Sequence, residues 1–71
     1  MSIVTAPCII VSKKLPPGEN CLLSLDRATK QTQWASILDV KPYQKIADAV
    51  SDVRFLRSLG MEPELVAIKR H

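Results

Sequence analysis

The first half of the chain contains three apolar runs that are separated by polar, turn-forming segments. The runs cover residues 3–11, 21–25 and 32–40, and each is rich in β-branched or aliphatic residues, which favours strands. The first run contains Pro7, which removes one backbone donor and predicts an edge position or a bulge there. The pattern therefore predicts three consecutive strands joined by two turns.

The second predicted turn lies in the segment 25–34, which reads LDRATKQTQW. This segment resembles the hairpin of a quinoprotein-type β-propeller blade. In that family Leu-Asp and Ala-Thr are followed by Gly and then by a short strand that ends in Trp. Lys30 stands where the family has the Gly. The resemblance implies a β-hairpin here and no more, because a propeller needs several blades.

A helix is predicted between Pro42, which suits the first turn of a helix, and Gly60, which suits the C-terminal cap. Arg54 and Arg57 would lie in the last turns, where cations interact favourably with the helix dipole. The apolar residues recur at steps of three and four, which is the helical period. They are Tyr43, Ile46, Ala47, Val50 and Val53.

The last apolar run, Leu65 to Ile68, is partly β-branched and predicts a fourth strand. The alternative is a short helix that begins at Pro63, which would create a helix–turn–helix. With the strand, the chain is an α+β domain of order β-β-β-α-β. We expect a small, mostly antiparallel sheet with one helix on one face, and a single domain over residues 1–71.

The predicted sheet has more apolar surface than one helix can cover. The first and fourth strands are apolar on both faces, since adjacent positions in each carry Ile, Val, Leu or Ala. Three alternatives remain open: a bulge at Pro7 resets the faces, irregular loops cover the second face, or another molecule does. A large exposed apolar patch marks an interface, so we favour self-association into a homodimer.

The predicted helix has a second irregularity, because Phe55 and Leu59 fall on its polar face with Asp48 and Asp52. These two carboxylates are expected in solvent. Either the helix breaks at Ser51-Asp52, which turns Phe55 and Leu59 inward, or the face binds a partner protein. In the second case the partner-binding residues are Phe55, Arg54, Leu59 and Lys45.

Catalytic and metal-binding patterns are missing from the sequence. The only histidine is the last residue, His71, and Cys8 and Cys21 lie in apolar runs without a neighbouring base. A hairpin about Pro16-Pro17-Gly18 would place Cys8 opposite Asp26 and Cys21 opposite Lys13, so no disulfide is expected. We therefore expect a non-enzymatic protein with no cofactor and no metal.

Free thiols are typical of a reducing compartment. The N-terminal residues lack the basic region of a signal peptide, and no apolar run is long enough to span a membrane. These features predict a cytoplasmic protein with no membrane contact.

A net charge of +3 permits contact with nucleic acid or with an acidic protein without requiring either. The alternative function is DNA binding through a three-stranded sheet or through the helix–turn–helix. Its contacts would be Lys13, Lys14, Arg27, Lys30, Lys69 and Arg70. The leading hypothesis is a small protein-binding regulator or inhibitor, by analogy with the compact factors through which phages and mobile elements block host machinery.

Overall fold

A computed structural model describes residues 5–68 and confirms the α+β class and the order β-β-β-α-β. Four strands form one sheet in the order β3-β2-β1-β4, and all neighbouring strands are antiparallel. The elements are β1 (Cys8–Ser12), β2 (Cys21–Asp26), β3 (Gln31–Ala35), α1 (Ile46–Ser58) and β4 (Pro63–Ala67).

The β2–β3 connection confirms the predicted hairpin. The side chain of Asp26 accepts hydrogen bonds from the backbone N–H groups of Ala28 (2.9 Å) and Thr29 (3.3 Å). Such a side-chain bond to the following backbone closes a tight turn. Lys30 has a φ of 60°, in the left-handed region that favours glycine. Lys30, which stands where the resemblance has a Gly, therefore adopts a conformation that suits glycine.

Strand β2 carries a register shift between Leu22 and Ser24, which makes Leu23 the extra residue of a bulge. The β1–β2 register pairs Val11 with Cys21, so the predicted pairing of Cys21 with Lys13 is wrong by two residues. Both thiols are nevertheless free, as predicted. Cys8 and Cys21 lie at positions of opposite parity in this register, and so on opposite faces of the sheet.

The predicted helix start is wrong, because α1 begins at Ile46 with Lys45 as its N-cap. Tyr43 instead exchanges backbone hydrogen bonds with Cys8, with distances of 2.7 and 3.2 Å. That pairing holds Tyr43 in extended geometry at the side of β1. The proposed break at Ser51-Asp52 is also wrong, since α1 is continuous to Ser58.

The buried stripe of α1 consists of Ala49, Val53 and Leu56. Ile46, at 37% exposed, and Ala47 lie outside it, although the periodicity placed both on the apolar face. The stripe is rotated by about a quarter of a turn from the predicted one. Because Tyr43 is not part of the helix, the larger residues of the second half determine which side packs on the sheet.

The third strand is shorter than predicted, since β3 ends at Ala35 and not at Val40. A turn follows, in which the N–H of Asp39 donates to the carbonyl of Ser36 at 2.9 Å. The Ser36 hydroxyl oxygen also accepts a bond from the N–H of Leu38 at 3.2 Å. Serine side chains that bond the nearby backbone compete with a sheet ladder, which explains why the strand stops here.

The fourth strand is confirmed, and the helix–turn–helix alternative is wrong, because Pro63–Ala67 pairs along the whole of β1. Gly60, with a φ of 84°, ends the helix in a left-handed conformation that suits glycine. The N–H of Gly60 donates to the carbonyl of Arg57 at 3.0 Å. The chain then turns directly into the edge strand.

The two faces of the sheet are covered differently. On the helix face, Ile10 and Leu22 pack with Val53 and Leu56 of α1. On the opposite side, which we call the outer face, Ile9 and Cys21 pack with Val40.

Val40 belongs to the segment between β3 and the helix, so the alternative in which an irregular loop covers the second face is correct for this part of it. A bulge at Pro7 is not needed, since β1 begins after it.

Candidate protein-binding surface

The segment that crosses the outer face displays two consecutive apolar side chains to solvent. Ile37 is 52% exposed and Leu38 is 90% exposed, which is the highest value among the large hydrophobic residues of the described chain. Both lie between the hydrogen-bonded ends of the Ser36–Asp39 turn, where polar residues or glycine are usual. We call Ile37 and Leu38 the apolar tip.

The apolar tip is held in place from both sides. The carbonyl of Ser36, just before the tip, accepts from the N–H of Asp39 just after it, and the Ser36 hydroxyl accepts from the N–H of Leu38 itself. Two residues beyond Leu38, the side chain of Val40 is buried against Ile9 and Cys21 of the sheet. A turn fixed in this way loses little conformational entropy when its side chains are bound by another molecule.

Two further apolar side chains of the sheet are about half exposed. Val66 of β4 is 39% exposed and pairs with Ile9, which places it on the outer face. Leu23, the bulge residue of β2, is 47% exposed. The outer face is thus covered at its centre by Val40 and open at the edge formed by β4.

The structure brings together two of the four partner-binding residues that were predicted on the helix. Phe55 is half-buried, and the guanidinium carbon of Arg27 lies 5.0 Å from the centre of its ring, within cation–π range. Arg54 is exposed beside it. An open groove runs along this side of the helix, lined by Arg27, Ala47, Val50, Ser51, Arg54 and Phe55.

The other two predicted residues lie elsewhere. Leu59 is half-buried and packs against the cluster on the helix face. Lys45 caps the start of α1, ten residues before Phe55, a separation of about 15 Å along the helix axis. Phe55, Arg54, Leu59 and Lys45 therefore do not form one contiguous surface.

The sequence predicted that Asp52 would be solvated, and this is wrong. Asp52 is the centre of a small polar network. Its side chain is only 21% exposed and forms a 2.5 Å salt bridge with Arg27. The hydroxyl of Tyr43 donates to its other oxygen at 2.5 Å. Burial, and then this bond and the charge of Asp52, raise the pKa of Tyr43 far above its usual value of 10. The network ties the β2–β3 hairpin and the segment before the helix to α1.

The basic residues of the nucleic-acid alternative do not converge. Lys13 pairs with Glu64 at 3.7 Å, and the ammonium of Lys14 donates to the carbonyl of Gly60 at 2.9 Å. Arg27 and Lys30 lie in the hairpin at the other end of β2, roughly 20 Å away along six strand residues. The remaining predicted contacts, Lys69 and Arg70, lie outside the described residues.

The two cysteines are buried, and burial raises the pKa of both thiols, so neither has the character of an activated nucleophile. Within residues 5–68, no cluster of three or more His, Cys, Asp or Glu side chains could hold a metal ion. The one helix in this range, with 13 residues, is too short and too polar to cross a membrane.

No protein-family model, curated protein or solved structure matches the chain. We therefore infer the binding surface from the geometry of this chain alone.

Sequence reasoning missed the apolar tip because Ile37 and Leu38 were assigned to a strand. A signal was present, since Ser36 and Asp39 bracket the pair at the spacing of a four-residue turn.

Proposed function

We propose that this chain is a small, non-enzymatic protein-binding factor, a regulator or inhibitor, that inserts its apolar tip into an apolar pocket of a partner protein. The observation that carries the proposal is the 90% exposure of Leu38 at the end of a closed turn. A single exposed leucine in a flexible loop is common in proteins, but here the backbone is fixed on both sides of the residue. Burying Leu38 would contribute about 1.5–3 kcal/mol to binding.

The surroundings of the tip support a protein partner over a charged one. Ile37, the neighbour of Leu38 in the turn, extends the apolar contact. Most of the basic residues whose positions are described lie at the two ends of β2 or on the helix, and Lys13, Lys14 and Arg27 are engaged in ion pairs or hydrogen bonds. The exposed Lys41 lies on the same segment as the tip, three residues after Leu38, and would belong to the polar rim. These features favour an interface with an apolar centre and a polar rim.

The proposal includes a cytoplasmic location. It is supported by the two free, buried thiols, which suit a reducing compartment. Measuring the distribution of the tagged protein between cell fractions would test this part separately from binding.

Site-specific photo-crosslinking tests the proposed contact. A crosslinkable amino acid at position 38 should capture a discrete host protein in living cells, because the tip would be buried in the partner. The same amino acid at Thr29, an exposed turn position in the β2–β3 hairpin, serves as the matched control. Equal capture from both positions, or capture from neither, would contradict the proposal.

A second comparison separates the apolar tip from the helix groove. Phe55→Ser removes the aromatic ring beside Arg27, and Leu38→Ser removes the more exposed of the two side chains of the tip. We expect Leu38→Ser to abolish retention of the crosslinked partner and Phe55→Ser to leave it nearly unchanged. The opposite result would move the binding surface to the helix.

A further inference from the structure

Strand β4 forms one edge of the sheet, and its hydrogen-bonding groups follow a fixed alternation. The N–H of Lys13 donates to Glu62, and the N–H of Ile68 donates to Pro7. In an antiparallel ladder such hydrogen-bonded pairs alternate with pairs that direct their groups away. In the register of β1 and β4, Glu64 and Val66 therefore bond to β1, while Leu65 and Ala67 direct their N–H and C=O groups outward.

The outward side of β4 is open across the described residues, because β1 is its only partner there. Edge strands of stable monomers are usually protected by charges, a proline or a covering segment. Here Pro63 and Glu64 protect the beginning of the strand, but the centre is Leu65-Val66-Ala67, without any charge. Val66 and Ala67 are both exposed. This edge is a template for another strand.

We infer that a second copy of the chain pairs with β4 through an antiparallel β4–β4 ladder with Val66 on the twofold axis. This register pairs Leu65 of each copy with Ala67 of the other, which forms four backbone hydrogen bonds and uses every outward group of both residues. It makes an eight-stranded sheet from two four-stranded ones.

The side chains suit this register as well. On the axis, the two copies of Val66 form a pair without hydrogen bonds, the closer kind of cross-strand pair, on the outer face. A ladder centred on Glu64 would instead place two carboxylates opposite each other, which is unfavourable. The Val66-centred ladder pairs Glu64 with the apolar Ile68 of the other copy, so no like charges meet between them.

Self-pairing is also independent of the proposed function, since the tip is on the segment between β3 and α1 and not on β4. A 71-residue chain buries a small core, and a second subunit is one of the usual ways to stabilise such a domain. Failure of partner capture by the tip would therefore leave this inference standing, and the reverse also holds.

Amide hydrogen exchange measured by NMR over a range of protein concentrations tests the ladder residue by residue. In the monomer, Val66 should exchange slowly, and Leu65 and Ala67 should exchange fast. As the dimer forms, Leu65 and Ala67 should become protected while Val66 changes little. Protection of these two amides that does not depend on concentration, or its absence in a species of twice the monomer mass, would overturn the inference.

Charge substitutions at the axis give a second test. Val66→Lys and Val66→Glu each place two like charges together, so each should weaken self-association by more than about tenfold. A mixture of the two variants should associate again, because every ladder then joins a lysine to a glutamate. Hydrogen exchange of the Ile9 and Val11 amides reports whether each variant is folded.

A wild-type chain that stays monomeric at the highest soluble concentration would overturn the inference without any variant. The inference would also be overturned if Val66→Lys and Val66→Glu each dimerised as the wild type does, or if a mixture of the two variants failed to associate.

Discussion

The two faces of the sheet use similar residues for different purposes. On the helix face, Ile10 is fully buried against Leu56, which is itself fully buried. On the outer face, the buried cluster of Ile9 and Cys21 receives only Val40 from the segment between β3 and α1, and the same segment exposes Ile37 and Leu38 to solvent. The difference is that a helix provides a continuous apolar stripe, whereas an irregular segment covers only where one of its residues points inward.

An apolar residue beside a sheet is therefore not by itself evidence of a core. Val40 and Leu38 are two residues apart in one segment, yet one is 9% exposed and the other 90%. The turn closed by Ser36 and Asp39 separates them. The helix face therefore provides the main core, and the exposed apolar tip is the surface that we propose for binding.

The largest expected effect is on the helix face. Leu56→Ala should lower the free energy of unfolding by about 2–5 kcal/mol, since it opens a cavity among Ile10, Leu22 and Val53. In a domain of this size that is a large share of the total stability. Urea unfolding followed by the fluorescence of Trp34 measures it. A loss below about 1 kcal/mol would mean that the helix does not provide the main core.

A smaller effect is expected where the loop covers the outer face. Val40→Ala should cost about 1–2 kcal/mol, because two buried methyl groups are lost and Ile9 and Cys21 become more accessible. The measurement is the reaction rate of the Cys21 thiol with a thiol reagent under native conditions. The rate should rise in the variant, whereas Cys8, on the helix face, should react as slowly as in the wild type. Equal acceleration of both thiols would indicate global unfolding instead.

A third effect concerns the ionisation of Tyr43, whose hydroxyl donates a hydrogen bond to Asp52 of α1. Folding raises the pKa of Tyr43, so the neutral hydroxyl contributes its full share to the free energy of unfolding below pH 10. That share is lost as the pH rises above 10, because the tyrosine of the unfolded chain ionises first. Because the chain has one tyrosine, phenolate absorbance reports on Tyr43 alone. We expect ionisation well above pH 10 in the folded protein. Asp52→Asn should lower the pKa of Tyr43 part of the way toward its usual value of 10, because the hydroxyl remains buried.

An ordinary Tyr43 pKa in the folded wild type would show that the hydroxyl is neither buried nor bonded to Asp52. Ser51→Ala is the matched control, because it changes the neighbouring residue, which also contacts Arg27, without touching Asp52. It should leave the titration of Tyr43 unchanged.

Sequence reasoning predicted the order of the elements and both free cysteines, since apolar runs and turn residues depend on local chemistry. It failed where a residue bonds a partner that the hydrophobic period of the sequence does not show. Tyr43 fits the helical period but pairs with Cys8, a contact that only the folded sheet creates. Ser36 fits the alternation of a strand but bonds the following backbone. Asp52 was assigned to solvent because Arg27, its partner, is 25 residues away in the chain.

The smallest expected effect on stability belongs to the apolar tip, where a loss of partner binding can be separated from a loss of folding. The double variant Ile37→Ser with Leu38→Ser should change the free energy of unfolding by less than about 0.5 kcal/mol, as surface substitutions do. The same preparation should no longer retain the partner protein that crosslinking from position 38 identifies, whereas the wild type should retain it. A variant that loses several kcal/mol of stability, or that keeps its partner, would contradict the division of the sheet into a folding face and a binding face.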